Sequence, residues 1–265
     1  FKLGLFYACS LQISVFNYTT CFAILRAISS MSVDSMSNIL VFDTSSAWCS
    51  VTLSAKGIIH SVAEMQPRKH AQLIMPMIDD VCQRAGIKPT ELDGIAFGKG
   101  PGSFTGVRIA ISVAQGLSLA TGARLYGISS LAALAWQGMK KMTDASTDSL
   151  AAQQVLAVMN AHMGEVFYGA YHYSDHRLEA VIEDRLTKPE GVDISILEAS
   201  NWIGMGDGFQ FLTEMPEEVS SLHSIHEDVY PMAESMMDLA IRAWDEGLFT
   251  AAELQEPVYL RDTVA

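Results

Sequence analysis

Several short stretches carry residue types that do chemistry. Asp43 closes the apolar run ILVF and leads Thr44, Ser45 and Ser46. A carboxylate at a strand end beside hydroxyls can orient water or a metal, or simply satisfy a turn. Residues 98–110 read GKGPGSFTGVRIA, with Gly98, Gly100, Gly102 and Gly106 ahead of Arg108. Backbone N–H groups at a helix start are unpaired and attract anions, and glycine lets a ligand come close to the backbone. Ser103 and Thr105 add hydroxyl donors, or cap the helix instead. Arg108, in the first turn, can pair with an anion.

The residue order is not that of a P-loop, which needs Gly-Lys-Ser/Thr at the helix start, and the glycine spacing is not the dinucleotide fingerprint. Two readings stay open. Asp43, Gly100, Gly102, Ser103, Thr105, Gly106 and Arg108 form a phosphate-type loop, or the stretch is a tight turn whose glycines let a helix lie close to a sheet. Elsewhere, His70 opens a helical pattern and Glu165 sits in NAHMGEVF. His223 and His226, beside Glu227 and Asp228, have the spacing of a metal pair on a helix or belong to a solvated loop. No Ser-His-Asp set can be assembled in chain order, and Cys9, Cys21, Cys49 and Cys82 show no zinc spacing. No catalytic residue and no metal ligand is assigned.

The elements that must position these residues follow from hydrophobic period. NILVFDTSS, WCSVTLSAKG and IIHSVAEM read as a β-meander. HAQLIMPMIDDVCQRAG reads as a helix with Ile74, Met77, Ile78, Val81, Cys82 and Ala85 on one face, Gly86 at its C-terminal cap and Pro76 near its start. LDGIAFG is a strand feeding the glycine loop. VRIAISVAQGLSLATG is a helix rich in small residues, ARLYGIS a strand and SLAALAWQGMK a helix. KKMTDASTDSLAAQQ is polar and reads as a linker. The pattern then restarts: VLAVMNAHMGEVFYGAYHY is two strands around a turn, WIGMGDGF a strand and turn, PMAESMMDLAIRAWDEG a helix and PVYLRDTVA a tail. Strands and helices in this order make an α/β chain of two related lobes on mixed sheets.

The 265 residues, 49% of them hydrophobic, suffice for one large domain or two lobes. The formal charge of −13 makes the chain a poor grip for nucleic acid on its own, since phosphate neutralisation dominates that affinity. The cysteines read as unpaired thiols of a reducing compartment, with Cys49 and Cys82 in buried packing. Residues 1–37 begin with Phe and carry no charge between Lys2 and Arg26. Gln12, Ser14, Asn17, Thr19 and Thr20 interrupt their apolar run, so they are expected to be upstream sequence before a start at Met31 or Met36, not a membrane span.

ILVFDTSS, KHAQLIMPMID, GKGPGSFTGVRIAISVAQGL, NAHMGEVFYGAY and PVYLRDTVA together resemble the TsaB (YeaZ) family over about residues 38–265. That family is a bacterial component of the machinery that makes threonylcarbamoyladenosine (t6A) in tRNA. The resemblance implies an actin-like ATPase (ASKHA) fold, with a first lobe over 38–143 and a second, reduced lobe over 152–265. It implies an inactive paralogue of TsaD, the threonylcarbamoyl-transferring subunit. Ser130 and Leu134 stand where TsaD has its metal-binding His-x-x-x-His pair, and a hydroxyl and an isobutyl group cannot replace two imidazoles. Asn160-Ala161-His162 replaces the family's usual Asp-x-Arg.

The implied function is non-catalytic: binding and activating TsaD, with TsaE, for t6A modification of tRNAs that decode ANN codons. A homodimer is implied when the chain is alone, contact with tRNA only through the complex, ATP or ADP only within the complex, and a cytoplasmic location without membrane contact. The helices at 69–85 and 106–121 are the implied partner surface, through Met75, Met77, Ile78, Val81, Ala110, Ala114 and Gly116. The rival reading is an active ATP-dependent enzyme of the same fold, or a glycoprotease of the M22 type.

Overall fold

The computed structural model describes residues 37–145, 154–174 and 177–261. The expected N-terminal extension lies outside them but for Ser37. From Ser37 on, the chain forms one compact unit built on two five-stranded sheets.

The first sheet has the order β3-β2-β1-β4-β5: β1 Ile39–Asp43, β2 Trp48–Ala55, β3 Ile58–Met65, β4 Gly94–Gly100 and β5 Arg124–Ser129. The second has the order β8-β7-β6-β9-β10: β6 Gln154–His162, β7 Glu165–Ser174, β8 Arg177–Thr187, β9 Ile203–Met205 and β10 Ser224–His226. Pairing repeats as well. β1–β2–β3 and β6–β7–β8 are antiparallel meanders, and β1–β4–β5 and β6–β9–β10 are parallel. The two sheets are therefore one design used twice, as in the actin-like ATPase fold. The second copy is reduced: β9 and β10 have three residues each, and its crossovers are short 3₁₀ turns such as Asp207–Glu214 and Glu217–Ser221.

Helices α1 (His70–Ala85), α2 (Phe104–Thr121), α3 (Ser130–Ala145) and α4 (Ala233–Asp245) complete the fold. Side chains alternate across a strand, and β1 shows where each helix packs. Leu40 and Phe42 join Ile74, Ile78 and Val81 of α1 and Ala110 and Ala114 of α2. Ile39 and Val41 join Ala133 of α3 and Met236, Met237 and Ala240 of α4 on the other side. Leu131, Leu134 and Trp136 of α3 also pack on Val155, Ala157 and Met159 of β6, so α3 links the sheets.

Gly86 ends α1 with φ +65°, as its place after the periodic run predicts. Pro76 is not near the start of α1 but inside it, on the solvent side. The polar stretch 140–154 is not all linker, because α3 continues to Ala145. β8 takes up the mixed stretch after β7, where no strand is expected. No helix among the described residues is long and apolar enough to cross a membrane.

Candidate functional site: the turn, the glycine loop and the interlobe cleft

The turn after β1 and the glycine loop after β4 are one unit because β1 and β4 are adjacent parallel strands. Ser103 N–H donates to Ser45 O at 2.7 Å. Thr44 Oγ1 donates to Gly106 O at 2.7 Å. Cβ atoms at Gly102 and Gly106 would stand 2.4 Å from Ser45 O and 1.9 Å from Thr44 O, so glycine is what lets the two segments touch. Ser103 Oγ accepts Gly106 N–H at 3.3 Å and caps α2. Gly100 has φ +96° ahead of a cis bond to Pro101. Thr105 is exposed.

Asp43 is fully buried. Its Oδ2 accepts both the N–H and the hydroxyl of Ser45, at 3.1 and 3.0 Å. Ser130 Oγ donates to Ser45 Oγ at 2.9 Å. Asp43 Oδ1 has no hydrogen-bond partner and lies against Gly98, where a Cβ would come within 1.8 Å of it. Burial pushes the carboxyl up to about 7, against the lowering effect of Ser45. Asp43 is thus a core carboxyl closing a hydroxyl chain.

Arg108 is exposed and leans toward the C-terminal tail. Its Nε donates to Tyr259 Oη at 3.0 Å, and its guanidinium lies 3.8 Å from the Phe104 ring centroid. The Ser103 N–H and Oγ are engaged within this unit, and close packing accounts for Gly102 and Gly106.

A cleft of about 630 Å³ opens beside this unit. Ser45, Ser46, His70, Thr105, Asn160, His162 and Asp207 are among its lining residues. Its far wall is the β6–β7 hairpin, whose tip reverses at Met163 and Gly164, with φ of 57° and 73°. Asn160 N–H donates to Asp207 Oδ1 at 2.9 Å, and burial raises the Asp207 carboxyl from its ordinary value. A second chamber of about 230 Å³ shares Ser103, Thr105 and His162 and is closed by Val258–Arg261. This tail crosses the molecule. Val258 N–H donates to Lys99 O at 2.8 Å, Tyr259 packs on Phe104, and Arg261 pairs with Glu165 and donates to Ala161 O at 3.2 Å. Tail residues offer no chemical signal in sequence beyond the single Arg.

Outside the cleft, the candidates separate. His223 and His226 are not on a helix: His226 lies in β10. Among the described residues no group of three or more His, Cys, Asp and Glu converges as metal ligands would. Ser130 and Leu134 are both fully buried, the former in the Asp43 chain and the latter in the α3 core. Cys49 and Cys82 are buried and unpaired, and burial pushes the Cys49 thiol up to about 12. A network that sequence order gives no sign of joins the lobes. Asp184 of β8 accepts from Tyr171 Oη and, at 2.7 Å, from Ser129 Oγ.

The expected partner surface needs correcting. Met77, Ile78, Val81, Ala110 and Ala114 are at most 4% exposed and form the core beneath α1 and α2. The apolar period marks the face toward the sheet, so these side chains have no free surface for a partner. Met75 and Gly116 are exposed, and Leu119, which the periodicity does not single out, is 89% exposed.

Comparison with known proteins agrees with this architecture. Residues 50–242 match the family model described as TsaD, tRNA N6-adenosine threonylcarbamoyltransferase. The chain is 36% identical to the tRNA threonylcarbamoyladenosine biosynthesis protein TsaB of Escherichia coli, over 86% of this chain and 96% of that one. It is 31% identical to the TsaB of Haemophilus influenzae, over 85% and 94%. The solved structure of YeaZ from Pseudomonas aeruginosa superposes with a TM-score of 0.77 at 36% identity, covering 85% of this chain and all of that one. With a relative this similar matched over nearly its whole length, and with the same doubled sheet, the chain belongs to the TsaB (YeaZ) family.

Proposed function

We propose that this chain is a non-catalytic subunit in the biosynthesis of t6A in tRNA, and that it acts by docking on TsaD, with TsaE, to favour the competent state of TsaD. The tRNAs concerned are those decoding ANN codons. The observation that carries the reading, beyond family, is the closed state of the glycine loop. Its helix cap, its leading N–H and the Nε of its arginine are engaged within the chain, and Asp43, the carboxylate an ATP-dependent enzyme of this fold would use, is sealed in the core. Nucleotide is accordingly expected only within the complex.

A scaffold acts by differential binding: a partner shifts an equilibrium only by its preference for one state over the other. Moving TsaD from mostly inactive to mostly active needs about 5 kcal/mol of such preference, which a standard-sized interface can supply. The surface offered is the outer side of the α1–α2 layer, with Met75, Gly116 and Leu119. Co-purification with the cognate TsaD and an ATP-hydrolysis assay of the isolated chain test this. The expected result is a stable complex and no turnover by the chain alone. Turnover by the purified chain, abolished by Asp43→Asn, would support the rival enzymatic reading instead.

A further inference from the structure

The tail residues 256–261 carry no helix or strand, yet they reach from one lobe to the other. At the first lobe Val258 N–H donates to Lys99 O at 2.8 Å. The Val258 carbonyl lies over Gly100, where a Cβ would stand 3.0 Å from it, so the glycine loop leaves room for the tail. Tyr259 Oη accepts Arg108 Nε at 3.0 Å, and the Tyr259 and Phe104 ring centroids are 5.4 Å apart. At the second lobe Leu260 packs against the core of α3, β6 and β7. Arg261 pairs with Glu165, donates to Ala161 O at 3.2 Å and reaches Met163 Sδ at 3.6 Å. We propose that residues 258–261 are a releasable strap between the lobes. Seated, the strap holds the β6–β7 hairpin against the start of α2. Released, it lets the hairpin swing away and joins the chamber of about 230 Å³ to the cleft of about 630 Å³.

The hold is of a kind that opens locally. Among the described residues, Val258 N–H to Lys99 O is the one backbone-to-backbone bond that 256–261 make. Side chains supply the rest, and they are only partly covered. Phe104 and Tyr259 are 40% and 44% exposed, and the side chains of Arg261 and Glu165 are 25% and 30% exposed. A segment with one such bond and half-exposed contacts opens at a free energy well below that of global unfolding. A partly exposed ion pair is also weakened by salt. β4, α2 and the β6–β7 hairpin keep their own hydrogen bonds when the strap leaves, so the fold survives its release.

What release uncovers is apolar. Phe104, Val107 and Phe167 are among the walls of the smaller chamber, and Val258, Tyr259 and Leu260 close it. Ser103, Thr105 and His162 line both the chamber and the cleft, so the two spaces meet where the strap crosses. The lobes stay joined elsewhere. Ser129 Oγ donates to Asp184 Oδ2 at 2.7 Å, and α3 packs on both sheets. Release therefore turns the lobes about α3 and does not separate them, a hinge motion confined to the side that the tail spans. The strap is a property of the chain itself and does not depend on what docks on α1 and α2.

Hydrogen exchange on the full chain, read by mass spectrometry, tests the proposal. Arg261→Glu should speed exchange at least about tenfold in three stretches together: the tail, the hairpin tip at 161–165 and the loop at 100–105. Tyr259→Ala, which frees the other end, should open the same three stretches. β2, in the interior of the first sheet, should keep the parent's rate. Arg261→Glu combined with Glu165→Arg should restore protection by reversing the pair, and high salt should move the parent toward Arg261→Glu. Exchange that rises in the tail alone means that the tail only frays, and overturns the proposal. Exchange that rises in β2 as well is global unfolding and overturns it too. So does a charge-swapped double variant that folds, by circular dichroism, but stays as open as Arg261→Glu.

Discussion

Gly106 and Thr44 are locked together: Thr44 Oγ1 donates to Gly106 O at 2.7 Å, and a methyl on Gly106 would stand 1.9 Å from Thr44 O. The first turn of α2 is thereby pressed onto the end of β1, and the cleft takes its wall from that contact. Gly106→Ala must push backbone against backbone, which no rotamer change relieves. We expect a loss of about 2 kcal/mol or more in urea unfolding, with weaker TsaD binding as its consequence. A stable Gly106→Ala variant would show that α2 is free to shift.

Asp43 makes stability depend on pH with a definite sign. Its folded carboxyl is raised to about 7 from 3.8, so the native state holds a proton that the unfolded chain releases. Stability from this group is present at low pH and is lost as pH rises from about 4 through 7, by roughly 4 kcal/mol at most. Asp43→Asn cannot ionise. The stability of the parent relative to Asp43→Asn should therefore rise as pH falls from 8 to 5 (Asp184 and Asp207, raised in the same direction, cancel in this comparison). A constant gap between the two proteins would contradict the assignment.

Arg261 and Glu165 tie the tail to the β6–β7 hairpin, with Arg261 also reaching Ala161 O. Arg261→Ala should cost only about 1 kcal/mol globally, but it should release residues 258–261 locally. Hydrogen exchange at Val258 N–H, which donates to Lys99 O, reads this directly. Unchanged protection there would mean that Tyr259 and Leu260 hold the tail unaided.

Met75 and Met77 are two residues apart on α1, the one exposed and the other 4% exposed. Met77→Asp buries a charge without a partner and should unfold the first lobe, at a cost of several kcal/mol. Met75→Asp should leave circular dichroism and melting unchanged while weakening TsaD capture at least about tenfold. Equal capture by the parent and Met75→Asp would move the docking surface elsewhere.

Much of the fold was legible because local period and tertiary role agree. β1 to β5, α1 and α2 follow from alternation, helical spacing and the Gly86 cap. The restart at β6 announces the second copy. β8 was hidden because its charged edge residues break alternation. Pro76 lies inside α1 rather than near its start, because a proline on a solvent face is tolerated where packing holds the helix. At the site, sequence shows the same glycines for a phosphate cradle as for close packing. The positions of Ser45 O and Thr44 O, brought in by β1, show the close packing that Gly102 and Gly106 allow, and no spacing in the sequence gives them. Likewise the pattern that made Met77, Val81 and Ala114 look like contact residues is the pattern of core burial, and periodicity carries no label for which partner a face meets. Asp184, Tyr171 and Ser129 come together from three strands, which no spacing reveals.

On the proposed function, this chain contributes no chemistry and TsaD needs it. The most direct measurement is threonylcarbamoyl transfer to tRNA by purified TsaD with TsaE, by this chain alone, and by all together, under one set of conditions. Little or no transfer is expected in the first two and full transfer in the third, with Asp43→Asn as active as the parent wherever it still binds TsaD. Full transfer without this chain, or by this chain alone, would contradict it.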